Sequence, residues 1–284
     1  MQVVRVFGAS HTIDFHLGGL MQRRQFLAAS LATSALALTR DAAAQSDARS
    51  GREFYQIRQY KLESGPQTKL AGSYFGDALI PALTKLGLGP VGAFSADFGA
   101  ETPTYYLLIP GSSVESLVTV DLHLAENADF LKAAEPFWSA PASSPAFQRV
   151  ESSLLRAFEG WPKLTPPPSS ATKAKRIFQM RTYESPSYRD HVVKVDMFHK
   201  GEFDIFKTAG FNSVFYGDVL IGPRMPCLTY MLSMDNLEQL NSKWAAFGGN
   251  PDWKKLSADP RYSFEPTVSN ITNLVLSPLA SSQI

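Results

Sequence analysis

"FQMRTY" occupies residues 178–183, and "YQIRQY" already stands at 55–60. In each hexapeptide Gln, Arg and Tyr alternate with a second set, the two-residue period of a strand with one face buried. Outward from both, the same signals recur in the same order. The first copy reads as a strand (54–62), a helix with apolar positions at Leu70, Tyr74, Leu79, Leu83 and Leu86, and a strand over 91–98. The strand "TYYLLI", a helix after Ser112-Ser113 and a closing strand "SLLRAF" follow. The second copy runs "RIFQMRTY", a helix over 188–208, "FNSVFYGDV", "CLTYMLS", a helix over 236–247 and "NITNLVL". Each copy is β-α-β-β-α-β.

Such a unit makes a four-stranded sheet with both helices on one face, and its bare face needs a partner. A second copy supplies one. The expected fold is therefore α+β: two tandem ferredoxin-like repeats, 52–160 and 176–278, whose sheets pack face to face as an α/β barrel within one chain. Between them "GWPKLTPPPSSATKAK" holds three consecutive prolines, which exclude a helix or sheet interior, so 161–175 reads as a linker.

The 284 residues are 44% hydrophobic and 19% charged, ordinary for a folded chain with a real core. Beyond residue 44 the balance is 23 basic to 24 acidic residues, which lacks the basic excess that nucleic-acid binding requires. "MQRRQFLAASLATSALALTRDAAAQS" begins at Met21 with Arg23-Arg24, continues through a short apolar run and ends in Ala42-Ala43-Ala44. It reads as a cleavable targeting peptide, too short for a stable membrane anchor. Arg23 and Arg24 resemble the twin-arginine signal, which implies passage through that translocase to the periplasm or outside of a bacterial cell. Residues 1–20 fit neither signal nor domain, so Met21 competes with Met1 as the start.

For the site, the period-2 pattern sets Gln56, Arg58 and Tyr60 on one face of the first strand and Gln179, Arg181 and Tyr183 on one face of its repeat. With helices expected over the more apolar face, these six should point into the barrel as ligand contacts. Buried arginines need partners, so the competing expectation is internal ion pairs, with Glu53 and Glu184 close by in sequence. Cys227 is the only cysteine and reads as structural. Ser112-Ser113 and Ser233 read as helix caps. No His-x-x-x-His pair, Cys/His cluster or Asp-rich loop occurs, so no protein-built metal site is expected, and any cofactor is unknown.

"FYGDVLIGPRMPCLTYML" (215–232), "KWAAFGGNPDWKKL" (243–256) and "VSNITNLVLSPL" (268–279) together resemble the NIPSNAP family of the dimeric α/β-barrel superfamily. The resemblance covers the second copy almost entirely. The first copy departs at "FLKAAEPFWSAPASSPAFQRV", which is longer and broken by prolines. Three classes of function are open: a binding protein with a small, anionic or aromatic ligand in the barrel, an interaction module with a filled barrel, or, as the superfamily implies, an enzyme of the cofactor-independent monooxygenase, isomerase or haem-handling kind. For the enzyme, Tyr60, Tyr183, Tyr230 and His199 are acid/base candidates, His199 and Tyr230 foremost. A homo-oligomer is a further expectation of the resemblance.

Overall fold

A computed structural model describes residues 51–98 and 103–284. The expected targeting peptide, with Arg23 and Arg24, lies outside the described residues. The first repeat runs β1 (Phe54–Lys61), α1 (Pro66–Ser73), a π-helical turn (Tyr74–Leu79), α2 (Ile80–Lys85), β2 (Gly92–Phe98) and β3 (Thr104–Gly111). It continues through α3 (Val114–Val118), α4 (Val120–Ala125), α5 (Ala128–Trp138) and β4 (Arg149–Ala157). After the one-turn α6 (Ser169–Thr172), the second repeat runs β5 (Ile177–Glu184), α7 (Tyr188–Met197), a π-helical turn (Phe198–Glu202) and α8 (Phe203–Thr208). Then come β6 (Asn212–Ile221), β7 (Cys227–Met234), α9 (Leu237–Gly249), α10 (Pro251–Ser257) and β8 (Asn270–Pro278).

The strands form one closed antiparallel barrel in the order β1-β3-β2-β8-β5-β7-β6-β4. Each repeat contributes four neighbouring strands, and the two sheets join where β2 meets β8 and β4 meets β6. Both edges of both sheets are thereby paired, which removes the open edges that an isolated repeat would present.

The repeats superimpose residue by residue, the later member standing 123 positions on. Leu107 pairs across the sheet with Ala93, and Tyr230 with Tyr216. Ser113 and Asn236 cap α3 and α9, their side chains accepting from the Ser116 and Gln239 N–H groups at 3.1 and 2.9 Å. Asn127 and Asn250 likewise cap α5 and α10 at 2.9 and 2.8 Å. The expected departure of the first copy is thus narrower than the sequence suggests: "NADF" and "NPDW" begin equivalent helices, and the difference is the longer run of α5 through Pro136. Ser233 is no cap; it lies buried within β7.

Residues 161–175 are more than a connection. Leu164 is buried in the barrel core, its N–H donates to the Glu53 carboxylate at 2.7 Å, and the Thr165 N–H donates to the Val214 carbonyl at 2.8 Å. The prolines exclude a helix only as far as Pro168, which itself precedes α6. Residues 279–284 cross back over the first repeat: the Leu279 N–H donates to the Ala93 carbonyl and the Gln283 N–H to the Val91 carbonyl, both at 2.8 Å. Leu164 and Ile284, with Tyr55, Phe94, Phe178 and Phe215, fill one half of the barrel interior.

Candidate functional site

The phase of β1 and β5 is opposite to the one expected. Gln56, Arg58, Tyr60, Gln179, Arg181 and Tyr183 face the helices, while Ile57, Gln59, Lys61, Met180 and Thr182 line the barrel. The alternating sets of these two strands differ too little in polarity to choose a face. The neighbouring strands choose it: register puts Arg58 beside Leu107 and Arg181 beside Tyr230, on the side where Leu107, Ile109, Tyr230 and Leu232 pack against helices.

On the helix side of the first repeat Arg58 is neutralised. Its Nη1 donates to Asp121 of α4 at 3.0 Å and its Nε to Gln56 at 3.0 Å, and Gln56 donates to Ser152 at 3.0 Å. Tyr60 sits edge-on among Phe75, Phe137 and Phe147. The internal-pair expectation therefore holds for Arg58, with a partner on a helix. Glu53 and Glu184 serve elsewhere, on the Leu164 N–H and the Asn270 amide.

The second repeat differs. The Arg181 guanidinium stacks 4.4 Å from the Trp244 ring centroid and lies 5.3 Å from that of Tyr183. The Tyr183 and Tyr230 hydroxyls share a hydrogen bond of 2.8 Å. Lys194 and Glu202 form a buried ion pair, and burial pushes the Glu202 carboxyl upward against the attraction of Lys194. Tyr230 is wholly buried, and burial pushes its phenol well above the ordinary tyrosine range. His199 is not part of this cluster. It is exposed, its Nδ1 donates to the Val195 carbonyl at 2.9 Å, and its Nε2 accepts from the Gly160 N–H at 3.1 Å, so the ring ties α7 to residues 158–161. The two foremost acid/base candidates do not share a site.

The other half of the barrel is open. At the end where β1 and β5 finish and β7 begins lies a cavity of about 300 Å³. Ile57, Met180, Val219 and Leu274 give it apolar lining, Tyr106, Thr182, Thr229 and Thr272 hydroxyls, and Lys61, Glu151 and Arg224 charges. Lys61 stands 3.5 Å from Glu151, and the Arg224 guanidinium donates to Thr272 Oγ1. Arg224 holds a left-handed backbone (φ 68°) in the β6–β7 hairpin, a conformation that costs a non-glycine residue on the order of 1 kcal/mol. Cys227 lines the same cavity, and burial pushes its thiol up to about 11. The sequence signal for this site is the other alternating set of the first strand, Ile57-x-Gln59-x-Lys61, together with the "GPRMP" hairpin. A larger cleft of about 490 Å³ lies on the helical side of the second repeat, where Asp259 pairs with Arg261 at 2.9 Å.

Among the described residues no three His, Cys, Asp or Glu side chains are grouped to hold a metal ion, and no helix is long and apolar enough to cross a membrane.

The NIPSNAP family model matches residues 178–283. A candidate monooxygenase from Fusobacterium nucleatum aligns over 80% of this chain and 93% of its own, with 7% identity and a TM-score of 0.53. One from Lactobacillus acidophilus aligns over 80% and 94%, with 10% identity and a TM-score of 0.51. A NIPSNAP-like domain protein from Burkholderia xenovorans covers 37% of this chain and 86% of its own, with 17% identity and a TM-score of 0.33. No curated protein matches the chain. The first two likenesses, at so low an identity, show a shared fold that extends across both repeats. The chain thus carries a NIPSNAP domain, residues 178–283, as the second half of a closed α/β barrel.

Proposed function

We propose that this protein binds a small organic molecule, aromatic or anionic, in the open half of its barrel. The observation that carries the reading is the division of the interior. Aromatic side chains fill one half, and the other keeps a cavity of about 300 Å³, at the lower end of the range for ligand sites. Its lining is part apolar and part hydroxylated, and it holds two cations, Lys61 beside Glu151 at 3.5 Å and Arg224 beside Glu184 at 3.9 Å. A flat molecule with one carboxylate meets all three demands, the guanidinium fork of Arg224 receiving the charge.

Benzoate, benzamide and benzylamine are the probes for calorimetry on the chain lacking residues 1–44. Benzoate should bind tightest, Thr229→Trp should fill the cavity and abolish binding, and Arg224→Gln should weaken benzoate by tenfold or more, the scale of a hydrogen bond to a charged group. Binding that survives Thr229→Trp, or a wild-type protein that binds none of the three, defeats the reading. The enzyme reading is the weaker one, since His199 and Tyr230 lie apart from each other and neither lines the cavity.

Export belongs to the same proposal, because the twin-arginine route carries folded chains and this barrel closes only when both repeats are folded. Arg23→Lys with Arg24→Lys should leave precursor in the cytoplasm; processing of that double variant at the normal rate would exclude the route.

A further inference from the structure

The helix side of the second repeat holds a charge excess that the first repeat has removed. Arg58 meets Asp121; the residue 123 positions beyond Asp121 is Trp244, so Arg181 meets an indole face in place of a carboxylate. Around Arg181 stand Lys194, a second cation, and a single carboxylate, Glu202, which Lys194 already engages. Among the described residues no carboxylate forms an ion pair with Arg181. Arg181 is half-buried, and its Nε, shut off from solvent, has no hydrogen-bond partner, so any donors it offers a ligand are those of its outer guanidinium nitrogens.

A chain of hydrogen bonds fixes what lies beside that edge. The Trp244 indole nitrogen can only donate, and it donates to Gln179 Oε1 at 2.7 Å. Gln179 must then present its amide nitrogen onward, and that group donates to Asn273 Oδ1 at 2.8 Å. With the carboxamide oxygen of Asn273 engaged in this way, its nitrogen carries two N–H donors on an exposed side chain. Asn273 is exposed and pairs directly opposite Arg181 in the β5–β8 register, so its donors and the guanidinium stand side by side on one face of the sheet. Parallel N–H donors on a fixed, desolvated cation are the arrangement that receives a carboxylate, and the indole beneath Arg181 holds the guanidinium plane in place.

We propose that the notch formed by Arg181 and Asn273 over Trp244 binds a small carboxylate, as a second site distinct from the barrel cavity. The first repeat cannot do this, because Asp121 occupies the equivalent place and satisfies its arginine internally.

The test uses acetate at constant ionic strength, with the Trp244 indole N–H followed by NMR and identified by its loss in Trp244→Phe. Acetate should shift this resonance saturably in the wild type. Arg181→Met and, separately, the exposed Asn273→Leu should each weaken the response at least tenfold, while Thr229→Trp, which fills the barrel, should leave it unchanged. No shift in the wild type, a shift equal to that given by chloride, or a shift that persists in Asn273→Leu with the fold intact overturns the site. A response lost in Thr229→Trp assigns it to the barrel and overturns the site equally.

Discussion

The two repeats place the same backbone in the same register and then fill it with different chemistry. At equivalent positions the first has Asp121, Ala71, Leu79, Leu107 and Ala93 where the second has Trp244, Lys194, Glu202, Tyr230 and Tyr216. The strand arginine is common to both, and its surroundings are not. In the first repeat it is a buried arginine paired with an exposed carboxylate; in the second it is a stacked cation beside a buried Lys–Glu pair and a tyrosine pair. The barrel needs both halves, and only the first keeps a plain helix-to-sheet core around its arginine.

The strongest way to break the comparison is to separate the halves. Expressed alone, residues 46–162 and 172–284 each lose two strand pairings and expose aromatic interior such as Tyr55 and Phe94, or Phe178 and Phe215. Residues 279–284 also lose their seat on the first repeat. Both fragments should aggregate or self-associate in size-exclusion chromatography. Two monomeric, folded fragments would show that the repeats are independent units.

Next in size is the conversion of the second repeat toward the first. Glu202→Leu alone strands a buried Lys194 and should cost about 3–5 kcal/mol by urea denaturation. Lys194→Met together with Glu202→Leu replaces the pair by apolar groups of similar volume and should recover most of that loss, to within about 1–2 kcal/mol of wild type. If the double variant is as unstable as the single one, the pair itself holds the fold together and is more than an imported chemistry. In the first repeat, Asp121→Asn leaves Arg58 without its carboxylate. Asp121 is largely exposed, so solvent screens the loss and about 1 kcal/mol is expected.

The sequence made the barrel legible and left the site half hidden, for one physical reason. The order of elements rests on periodicity, a local signal repeated twice in "YQIRQY" and "FQMRTY", whereas the equivalence of Asn127 and Asn250 as caps emerges only with the fold. Which face of β1 and β5 looks inward is not local, because Tyr55, Ile57 and Gln59 differ little in polarity from Gln56, Arg58 and Tyr60. Pairing with β3 and β7 decides it. The same holds for Arg58, whose partner Asp121 lies on a helix remote in sequence, and for His199, whose ring binds Gly160 across the linker. Cys227 was read as structural from its apolar neighbours, and it is buried, but its place on the cavity wall depends on the closure of the barrel.

Cys227 gives the smallest expected effect at neutral pH and a pH-dependent one above it. Its first-repeat equivalent is Thr104, which is also buried, so Cys227→Thr imports the other repeat's residue at nearly constant volume. Burial, followed by the charge of Glu184, raises the thiol to about 11 from an ordinary value near 8.5. The folded chain therefore keeps its proton where the unfolded chain has released it, so over that interval the unfolded state binds fewer protons and stability falls as pH rises. Below about pH 8 both states hold the proton and the contribution is fully present. Urea midpoints of wild type and Cys227→Thr should agree within about 0.5 kcal/mol near pH 7, the difference expected of a near-isosteric change, and should separate above about pH 9 with the wild type falling faster. Curves that stay parallel to pH 10 would mean that the thiol ionises as freely in the barrel as in the open chain, and that solvent fills the cavity to its wall.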